Sequence, residues 1–219
     1  MEKEYIKINR DAYNKFAIQH NKRTTRPSKY ELSDKDWKNI IEDNLININK
    51  KNKILEIGPG TGRLLKIIED NFNVNTTAVE LSKEMIKYAK EKSPKTSFIE
   101  GNILEIEFEN NEFDAIIMGA LIHNFPKKDA IVLLKKCHKW LKNTGKIMLY
   151  TTLHEKSEEG YYEKEDYNEK VIRYRKKYTE QEIIQLIEDN NYKIINKMVN
   201  IEEDRNKKWL TLIIEKMNR

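Results

Sequence analysis

The sequence has little that could cross-link the chain or anchor it in a membrane. Its 219 residues include a single cysteine, Cys137, which excludes an internal disulfide framework and a Cys-x-x-Cys metal site and favours a reducing compartment. The longest apolar run, residues 115–122, is far shorter than the ~20 residues that span a bilayer. The N-terminal MEKEYIKINR lacks the apolar stretch of a secretion signal. These absences predict a soluble, cytoplasmic protein without membrane insertion.

A large excess of one charge is also absent. Lys and Arg number 41 and Asp and Glu number 36, and the net charge of +5 is spread along the chain. Proteins that bind nucleic acid through a basic tail concentrate their positive charge instead. A chain of this length can bury roughly 70–75% of the surface that its unfolded form exposes. We therefore expect a single domain over residues 1–219.

Glycine is scarce, and its placement is the most informative feature of the sequence. Three of the seven glycines lie in the segment Gly58-Pro59-Gly60-Thr61-Gly62. The preceding residues 53–57 are mostly apolar, as expected of a buried parallel strand, and residues 63–70 carry apolar side chains at helical spacing. The pattern predicts a strand, a glycine loop and a helix.

The same alternation of strand and helix continues along the chain. Because β and α segments alternate at this spacing, the sequence predicts a mainly parallel, doubly wound α/β sheet. Asn143-Thr144-Gly145 is expected to end the last helix of the series. The predicted strands are residues 73–80, 96–100, 113–118 and 146–151, and the predicted helices are residues 82–90 and 127–141.

The C-terminal part has a different pattern. Thr179-Glu180-Gln181-Glu182 has the spacing of a capping box and predicts a helix that runs to about residue 190. Predicted strands at 192–201 and 208–216 are joined by a polar turn at 202–206. Such a close pair predicts an antiparallel hairpin at one edge of the sheet.

Two segments lie outside this core. One contains two amphipathic helical stretches around a basic stretch at 21–29, and the other is polar and rich in Tyr, Glu and Arg. We expect both to cover the carboxyl ends of the strands, where open α/β sheets bind ligands. The predicted organisation is an N-terminal helical cover (1–50), a cofactor-binding core (51–152), a substrate-side insert (153–178), and a helix with an edge hairpin (179–219).

The glycine loop matches neither of the two common phosphate-binding patterns. Dinucleotide sites use G-x-G-x-x-G and nucleotide phosphate loops use G-x-x-x-x-G-K-S/T, whereas this loop reads G-x-G-x-G followed by Arg63. The Glu56 carboxylate before the loop would repel an anion and attract an ammonium or sulfonium group. Glu80, at the end of the next strand, has the position that binds ribose hydroxyls in mononucleotide-binding halves. These features favour an adenosine-like ligand without a diphosphate, and S-adenosylmethionine has those properties.

These segments resemble the motifs of the class I S-adenosylmethionine-dependent methyltransferases. Residues 54–65, ILEIGPGTGRLL, resemble the first motif, 79–85, VELSKEM, the second, and 98–103, FIEGNI, the third, while 113–121 resemble the fourth strand and its loop. The resemblance implies a seven-stranded Rossmann-like sheet, S-adenosylmethionine as cofactor, S-adenosylhomocysteine as product and no metal. The family prefers Asp at the position of Asn102, whose side chain is expected to hold the adenine amino group. The implied cofactor-binding residues are Glu56, Gly58, Pro59, Gly60, Gly62, Glu80, Leu81, Asn102, Ile103 and Gly119.

Residues on the acceptor side are less well defined. His123 follows the fourth strand in a loop that should face the transferred methyl, where it could be a general base or a polar wall residue. A base would help with a phenol, a carbon acid or a protonated amine, whereas a carboxylate or neutral amine could need orientation alone. The four histidines are dispersed and do not have metal-ligand spacing. The other substrate-side candidates, all in the two cover segments, are Tyr13, His20, His154, Tyr161 and Tyr162.

The basic stretch at residues 173–178, RYRKKY, permits two interpretations. It could grip RNA phosphates and stack bases, or it could be the solvated face of a lid, which is the favoured interpretation. Tyr161 and Tyr162 nearby could pack against a cationic or aromatic substrate.

The loop after the fourth strand, GALIHNFP, does not match the Asp/Asn-Pro-Pro-Tyr/Phe motif common in enzymes that methylate nucleobase amines or glutamine amides. Together with the compact chain, this favours methyl transfer to a small-molecule acceptor and makes a nucleic-acid partner unlikely. An RNA or protein methyltransferase using residues 173–178, or a non-catalytic S-adenosylmethionine-binding protein, is the alternative.

Overall fold

The computed structural model describes residues 2–25, 27–47, 51–164 and 170–217. Its helices are α1 (Glu4–Thr25), α2 (Asp34–Asn44), α3 (Arg63–Asn71), α4 (Lys83–Lys92), α5 (Lys127–Trp140) and α6 (Glu180–Glu188). Its strands are β1 (Lys53–Ile57), β2 (Asn75–Glu80), β3 (Ser97–Glu100), β4 (Phe113–Gly119), β5 (Leu141–Leu153), β6 (Glu158–Lys164), β7 (Val171–Lys177), β8 (Tyr192–Glu202) and β9 (Lys207–Lys216). Short 3-10 helices occupy Ile122–Asn124 and Glu203–Arg205.

The main sheet has seven strands in the order β3-β2-β1-β4-β5-β9-β8. Neighbours from β3 to β5 are parallel, and β9 is antiparallel to both β5 and β8. The predicted doubly wound sheet with an antiparallel C-terminal hairpin is confirmed. The strand order reverses between β1 and β4, which opens a crevice at their carboxyl ends of the kind in which such sheets bind ligands.

The apolar strand segments form the core because helices cover both faces of the sheet. Ile54, Leu55, Ile116 and Ile117 in the two central strands have no exposed surface. Runs of β-branched and aliphatic residues are typical of strands buried on both faces. The sheet is therefore a rigid platform for the loops at its carboxyl edge.

The helix starts follow local capping chemistry, with one correction. Ser82 caps α4, as predicted, because its hydroxyl accepts a hydrogen bond from the Met85 amide at 3.2 Å. Thr179 caps α6 through the Glu182 amide at 3.2 Å. The reciprocal half of the predicted capping box is not formed, because the Glu182 carboxylate lies 3.0 Å from the Lys176 ammonium.

The end of α5 also differs from the prediction. Asn143-Thr144-Gly145, expected to terminate the helix, lies inside β5, which begins directly after the helix at Leu141. The pairing with β4 shifts register between Phe113 and Ala115, so the extra residues of β5 bulge out of the ladder.

The N-terminal cover consists of two helices on different parts of the domain. Helix α1 packs Ala12, Phe16 and Ala17 against Met85 of α4 and Val171 of β7. Helix α2 packs Trp37 and Ile41 in the core that contains the other face of the sheet. The basic stretch at 21–29, expected to separate the helices, is helical as far as Thr25.

The substrate-side insert folds into a two-stranded antiparallel sheet, β6–β7, which the sequence did not predict. A buried amide on α1 fixes it in place. The side-chain Oδ1 of Asn9 accepts a hydrogen bond from the Tyr174 backbone amide at 2.8 Å. The side-chain Nδ2 of Asn9 donates to the Asn124 backbone carbonyl at 3.2 Å. Helix α1, β7 and the loop after β4 are thereby joined at one point.

No helix in the described ranges is both long and apolar enough to cross a membrane.

Candidate cofactor and acceptor site

A cavity of about 620 Å³ lies at the carboxyl ends of the central strands. Helix α1 and the β6–β7 hairpin contribute to its walls. Cavities of ~300–1,000 Å³ are typical of small-molecule sites. The sequence-predicted residues that line it are Glu56, Gly58, Pro59, Gly60, Glu80, Leu81, Asn102, Ile103, Gly119, Tyr13, His20, His123, His154 and Tyr162.

The glycine loop brings bare backbone to the cavity wall. Gly60 has a positive φ of +57°, and a Cβ there would lie 3.2 Å from Cε1 of His20 on α1. Glycine is favoured at such a position because it lacks the side chain that would crowd both the backbone and the neighbouring ring. The loop can therefore approach a ligand closely.

Gly62, which the resemblance includes among the cofactor-binding residues, lies behind the cavity wall. It does not line the cavity; it is the N-cap of α3, with a φ of +78°, and a Cβ there would lie 2.9 Å from Cα of Ala89 on α4. The absence of a side chain at Gly62 allows α3 and α4 to pack closely, and this packing fixes the position of the glycine loop.

Glu80 holds the loop as well as lining the cavity. One carboxylate oxygen accepts from the Gly60 amide at 3.0 Å and the other from the Ser82 amide at 2.9 Å. Burial raises the pKa of this carboxyl, while the hydrogen bonds from the backbone amides of Ser82, Gly60 and Leu81 lower it in part. Because a carboxylate oxygen accepts more than one hydrogen bond, Glu80 retains acceptor capacity for ribose hydroxyls.

Glu56 has the most unusual electrostatic environment in the site. Its side chain is buried, and its Oε2 atom has no hydrogen-bond partner among the described residues. Burial, together with the nearby negative charge of Glu80, raises its pKa to about 8. A bound cation would supply the missing partner and favour the ionised carboxylate.

The residues that line this part of the cavity have the chemical properties that S-adenosylmethionine requires of its binding site. The orphaned Glu56 oxygen suits a positively charged methionyl end, the loop at Gly60 permits close approach of the cofactor, and Glu80 suits the ribose. Glu56, Gly60 and Glu80 are the residues that would hold it.

The proposed partnership between Glu56 and a cation predicts a proton linkage. At pH 7 a carboxyl with a pKa near 8 is mostly protonated, so binding a cation that requires the carboxylate should release about one proton. Affinity for S-adenosylmethionine should consequently rise as the pH increases toward 8. Calorimetry at pH 7 in phosphate and in Tris, which differ in ionisation enthalpy, measures the proton count. Glu56→Gln should bring it close to zero, and equal heats in both buffers for the unaltered protein would contradict the assignment.

At the expected adenine end, Ile103 is buried and Leu81 is partly buried. The side-chain Nδ2 of Asn102 donates to the Glu105 carboxylate at 3.1 Å. The side-chain Oδ1 of Asn102 accepts from the Leu104 backbone amide at 3.1 Å. These local bonds fix the side chain, and the carbonyl oxygen can accept one more hydrogen bond from an adenine amino group.

On the acceptor side, His123 is buried at the cavity wall, with Nδ1 2.8 Å from the Thr151 hydroxyl. The Tyr13 hydroxyl donates to the Asn124 side chain at 3.2 Å. His20 Nδ1 is 3.3 Å from the Thr61 hydroxyl. His154 lies at the end of β5, and its pKa is lowered by burial and by the positive charges of Arg175 and Lys177.

The two adjacent tyrosines have separate environments. Tyr161 is 47% exposed, does not line the cavity and packs edge-on against Tyr174, so the structure does not bring it together with the other substrate-side candidates. Tyr162 does line the cavity, but the Lys177 ammonium already lies 4.2 Å from its ring centroid. The predicted cation–π partner is thus supplied by the chain itself.

The basic stretch was also misjudged from the sequence. Arg173, Arg175 and Lys177 line the cavity, whereas the intervening Tyr174 and Lys176 are buried outside it. The signal was available, because alternate residues of a strand point to opposite faces, but it required the segment to be recognised as a strand.

Sequence reasoning also missed an ion-pair network at the cavity wall. The Glu31 carboxylate lies 2.6 Å from the Arg23 guanidinium, 3.6 Å from that of Arg63 and 3.5 Å from that of Arg205. Arg205 also pairs with Glu202. The missed lining residues include Asn9, Arg23, Glu31, Arg63, Tyr150, Thr152, Glu202, Arg205 and Trp209.

Comparison with known proteins bears directly on this site. Residues 54–145, which contain the glycine loop and both acidic strand ends, match the model of a methyltransferase domain. This segment is a methyltransferase domain. Together with the fold, this match supports the class I S-adenosylmethionine-dependent methyltransferases as the family that the chain resembles, with S-adenosylmethionine as the cofactor.

Individual relatives are distant. The chain is 30% identical over 115 residues to a phosphoethanolamine N-methyltransferase of Plasmodium falciparum, covering 51% of this chain and 42% of that protein. It is 23% identical over 121 residues to a demethylmenaquinone methyltransferase of Thermotoga maritima, covering 55% of this chain and 52% of that protein. The chain spans about half the length of most of the curated relatives it matches.

A solved structure extends the likeness in fold to nearly the whole chain. It is the 1,6-didemethyltoxoflavin-N1-methyltransferase of Burkholderia thailandensis with S-adenosylhomocysteine bound, which superposes with a TM-score of 0.74 at 16% identity. The match covers 98% of this chain and 90% of that one. At this identity the likeness concerns the fold.

Proposed function

We propose that the protein transfers a methyl group from S-adenosylmethionine to a small-molecule acceptor. The observation that carries the proposal is that one cavity of about 620 Å³ contains both the residues suited to the cofactor and a second set from α1, the loop after β4 and the β6–β7 hairpin. A cavity of this size, covered by a helix and a hairpin, favours an acceptor that enters the domain.

In this function the protein acts mainly by positioning. Bound S-adenosylmethionine supplies an electrophilic methyl group on a sulfonium. Glu56, Glu80 and the loop at Gly60 would hold the cofactor that carries this group, while α1 and the β6–β7 strands would restrict water. Holding the reacting atoms about 3–3.5 Å apart and in line can account for much of the rate acceleration of a displacement reaction.

His123 is our candidate for the general base that removes a proton from the methyl acceptor. It lies on the loop that follows β4, and the Thr151 hydroxyl holds its Nδ1 at 2.8 Å. An imidazole is a side chain suited to proton transfer close to neutral pH.

Replacing this group should affect turnover and not cofactor affinity. His123→Asn is expected to lower kcat by roughly 100-fold, the smaller end of the contribution of a general base, and to flatten the acidic limb of the pH profile. Thr151→Val, which removes the orienting hydroxyl, should give a smaller loss. The matched control is His138→Asn, because His138 lies on α5 against Tyr192 and away from the cavity. A loss of cofactor affinity equal to the loss of kcat would make His123 structural.

Relatives support a small acceptor through their names alone, which specify phosphoethanolamine and demethylmenaquinone as methylated substrates. The absence of an Asp/Asn-Pro-Pro-Tyr/Phe sequence after β4 is in agreement.

The test is an acceptor screen that measures formation of S-adenosylhomocysteine. The panel contains small amines, phenols, carboxylic acids and phosphate esters, with single-stranded RNA and a protein extract as separate arms. Turnover with a small molecule supports the proposal. Turnover with RNA or protein alone would replace it with a macromolecular methyltransferase, and cofactor binding without turnover in any arm would favour a non-catalytic binding protein.

A further inference from the structure

The β7 strand presents a row of positive charges to the cavity. Arg173, Arg175 and Lys177 alternate along the strand and all three line the cavity wall. Because the period of a strand is two residues, this spacing puts their side chains on one face. The row therefore faces the cavity.

The charges in this row are unequally compensated. Lys177 is paired with Glu158 at 2.9 Å, and its ammonium also lies over the Tyr162 ring. Arg175 donates to the Thr152 hydroxyl at 3.0 Å. The Arg173 guanidinium has a buried Nε atom without a hydrogen-bond partner in the described part of the chain.

The arginines elsewhere in the cavity contrast with Arg173. Arg23 and Arg63 are both paired with the Glu31 carboxylate, and Arg205 is paired with Glu202. One carboxylate near the row, that of Glu163, also lines the cavity and lies 3.6 Å from the Lys170 ammonium. Among the described residues, no carboxylate forms an ion pair with Arg173.

The row lies at the acceptor end of the cavity. Tyr174, between the two arginines, bonds through its backbone to Asn9, which in turn donates to the Asn124 carbonyl at 3.2 Å. Asn124 directly follows His123. The arginines are thus fixed beside the loop that carries the candidate base.

We propose that the methyl acceptor carries an anionic group, a carboxylate or a phosphate monoester, which the guanidinium groups of Arg173 and Arg175 bind. The assignment rests on the proposed function and specifies its substrate class. A planar guanidinium binds either anion through paired N–H groups. Burial of a cationic donor without a partner is costly. An anionic group on the methyl acceptor would supply the missing hydrogen-bond partner of the Arg173 guanidinium.

Direct binding tests the assignment without knowledge of the natural acceptor. The protein is saturated with S-adenosylhomocysteine and titrated with benzoate, phenyl phosphate and neutral benzamide, which share an aromatic ring and differ in charge. We expect at least one anion to bind tenfold or more tightly than benzamide. The arm that binds more tightly distinguishes a carboxylate from a phosphate.

Arg173→Met should remove that preference by weakening anion binding about tenfold or more, while S-adenosylhomocysteine affinity is retained. Arg10→Met is the matched control, since Arg10 pairs with Glu2 and does not line the cavity. Three results would overturn the assignment: benzamide binding as tightly as the anions, equal effects of the two substitutions, or a loss of S-adenosylhomocysteine affinity in Arg173→Met, which would assign the guanidinium to the cofactor. If the unaltered protein binds no S-adenosylhomocysteine, the proposed function fails, and the anion titrations without it still decide the role of Arg173.

Discussion

Gly62→Ala is expected to lower the free energy of unfolding by about 2–5 kcal/mol. The residue has a φ of +78°, and a Cβ there would lie 2.9 Å from Cα and 3.0 Å from Cβ of Ala89. An L-residue in the left-handed region costs roughly 1–2 kcal/mol, and overpacking against a rigid neighbour costs about 1–3 kcal/mol more. The contacted Cα is backbone and cannot rotate away, so α3 and α4 must move apart. Urea unfolding followed by circular dichroism measures the change.

The control for this substitution is another glycine with ample space. A Cβ at Gly160 on β6 would meet no atom closer than 3.9 Å, and its φ lies outside the left-handed region. Gly160→Ala should therefore change stability by less than ~1 kcal/mol. Equal stability of the Gly62 and Gly160 variants would show that α3 and α4 do not pack as described.

Glu80→Ala is expected to weaken S-adenosylmethionine binding by about 1–3 kcal/mol, or roughly 5- to 150-fold in Kd. Charged hydrogen bonds to the ribose would be lost, and so would the two bonds that hold the amides of Gly60 and Ser82. The same carboxylate holds the glycine loop and would bind the cofactor. The loss of affinity should therefore be larger than the loss caused by replacing a residue that contacts the ligand alone. Calorimetric titration at a fixed pH provides the affinities.

Two variants separate the contributions of Glu80. Glu80→Gln keeps one carbonyl acceptor and should give an intermediate affinity. Glu100, which pairs in register with Glu80 at the end of β3, is exposed and does not line the cavity, so Glu100→Ala should bind the cofactor normally. An unchanged affinity in Glu80→Ala would show that the carboxylate is not a ligand of the ribose.

The cofactor wall could be predicted because its determinants are local. Glu56, the glycine loop, Glu80 and Ser82 lie within a single strand-loop-helix-strand unit, and their separation along the chain fixes their relative places at the carboxyl edge of a parallel sheet. Ser82 could be predicted as a helix cap because a hydroxyl before an amphipathic segment has few other local uses.

The acceptor wall could not be predicted in the same way. The bond between Asn9 and Tyr174 joins residues separated by 165 positions, and no local pattern specifies such a pairing. Strand β7, VIRYRKK, carries cations where a strand of the core carries apolar side chains, because one of its faces lines a cavity. Because this alternation is also typical of a solvated segment, the sequence alone does not indicate that the arginines line a cavity.

The asymmetry between Gly60 and Gly62 has the same origin. The spacing of the motif places both glycines in the loop. Which atoms a Cβ at each position would meet depends on where α1 and α4 pack. Only the assembled fold shows that the position at Gly60 faces His20 and that at Gly62 faces Ala89.

Titration of the purified protein with S-adenosylmethionine, S-adenosylhomocysteine and NAD, after removal of any bound ligand, tests the central claim most directly. We predict micromolar binding of the two adenosyl compounds and no binding of NAD, because the loop beside the buried Glu56 favours a cation and disfavours a diphosphate. Failure of both adenosyl compounds to bind, or tighter binding of NAD, would contradict the assignment of this cavity.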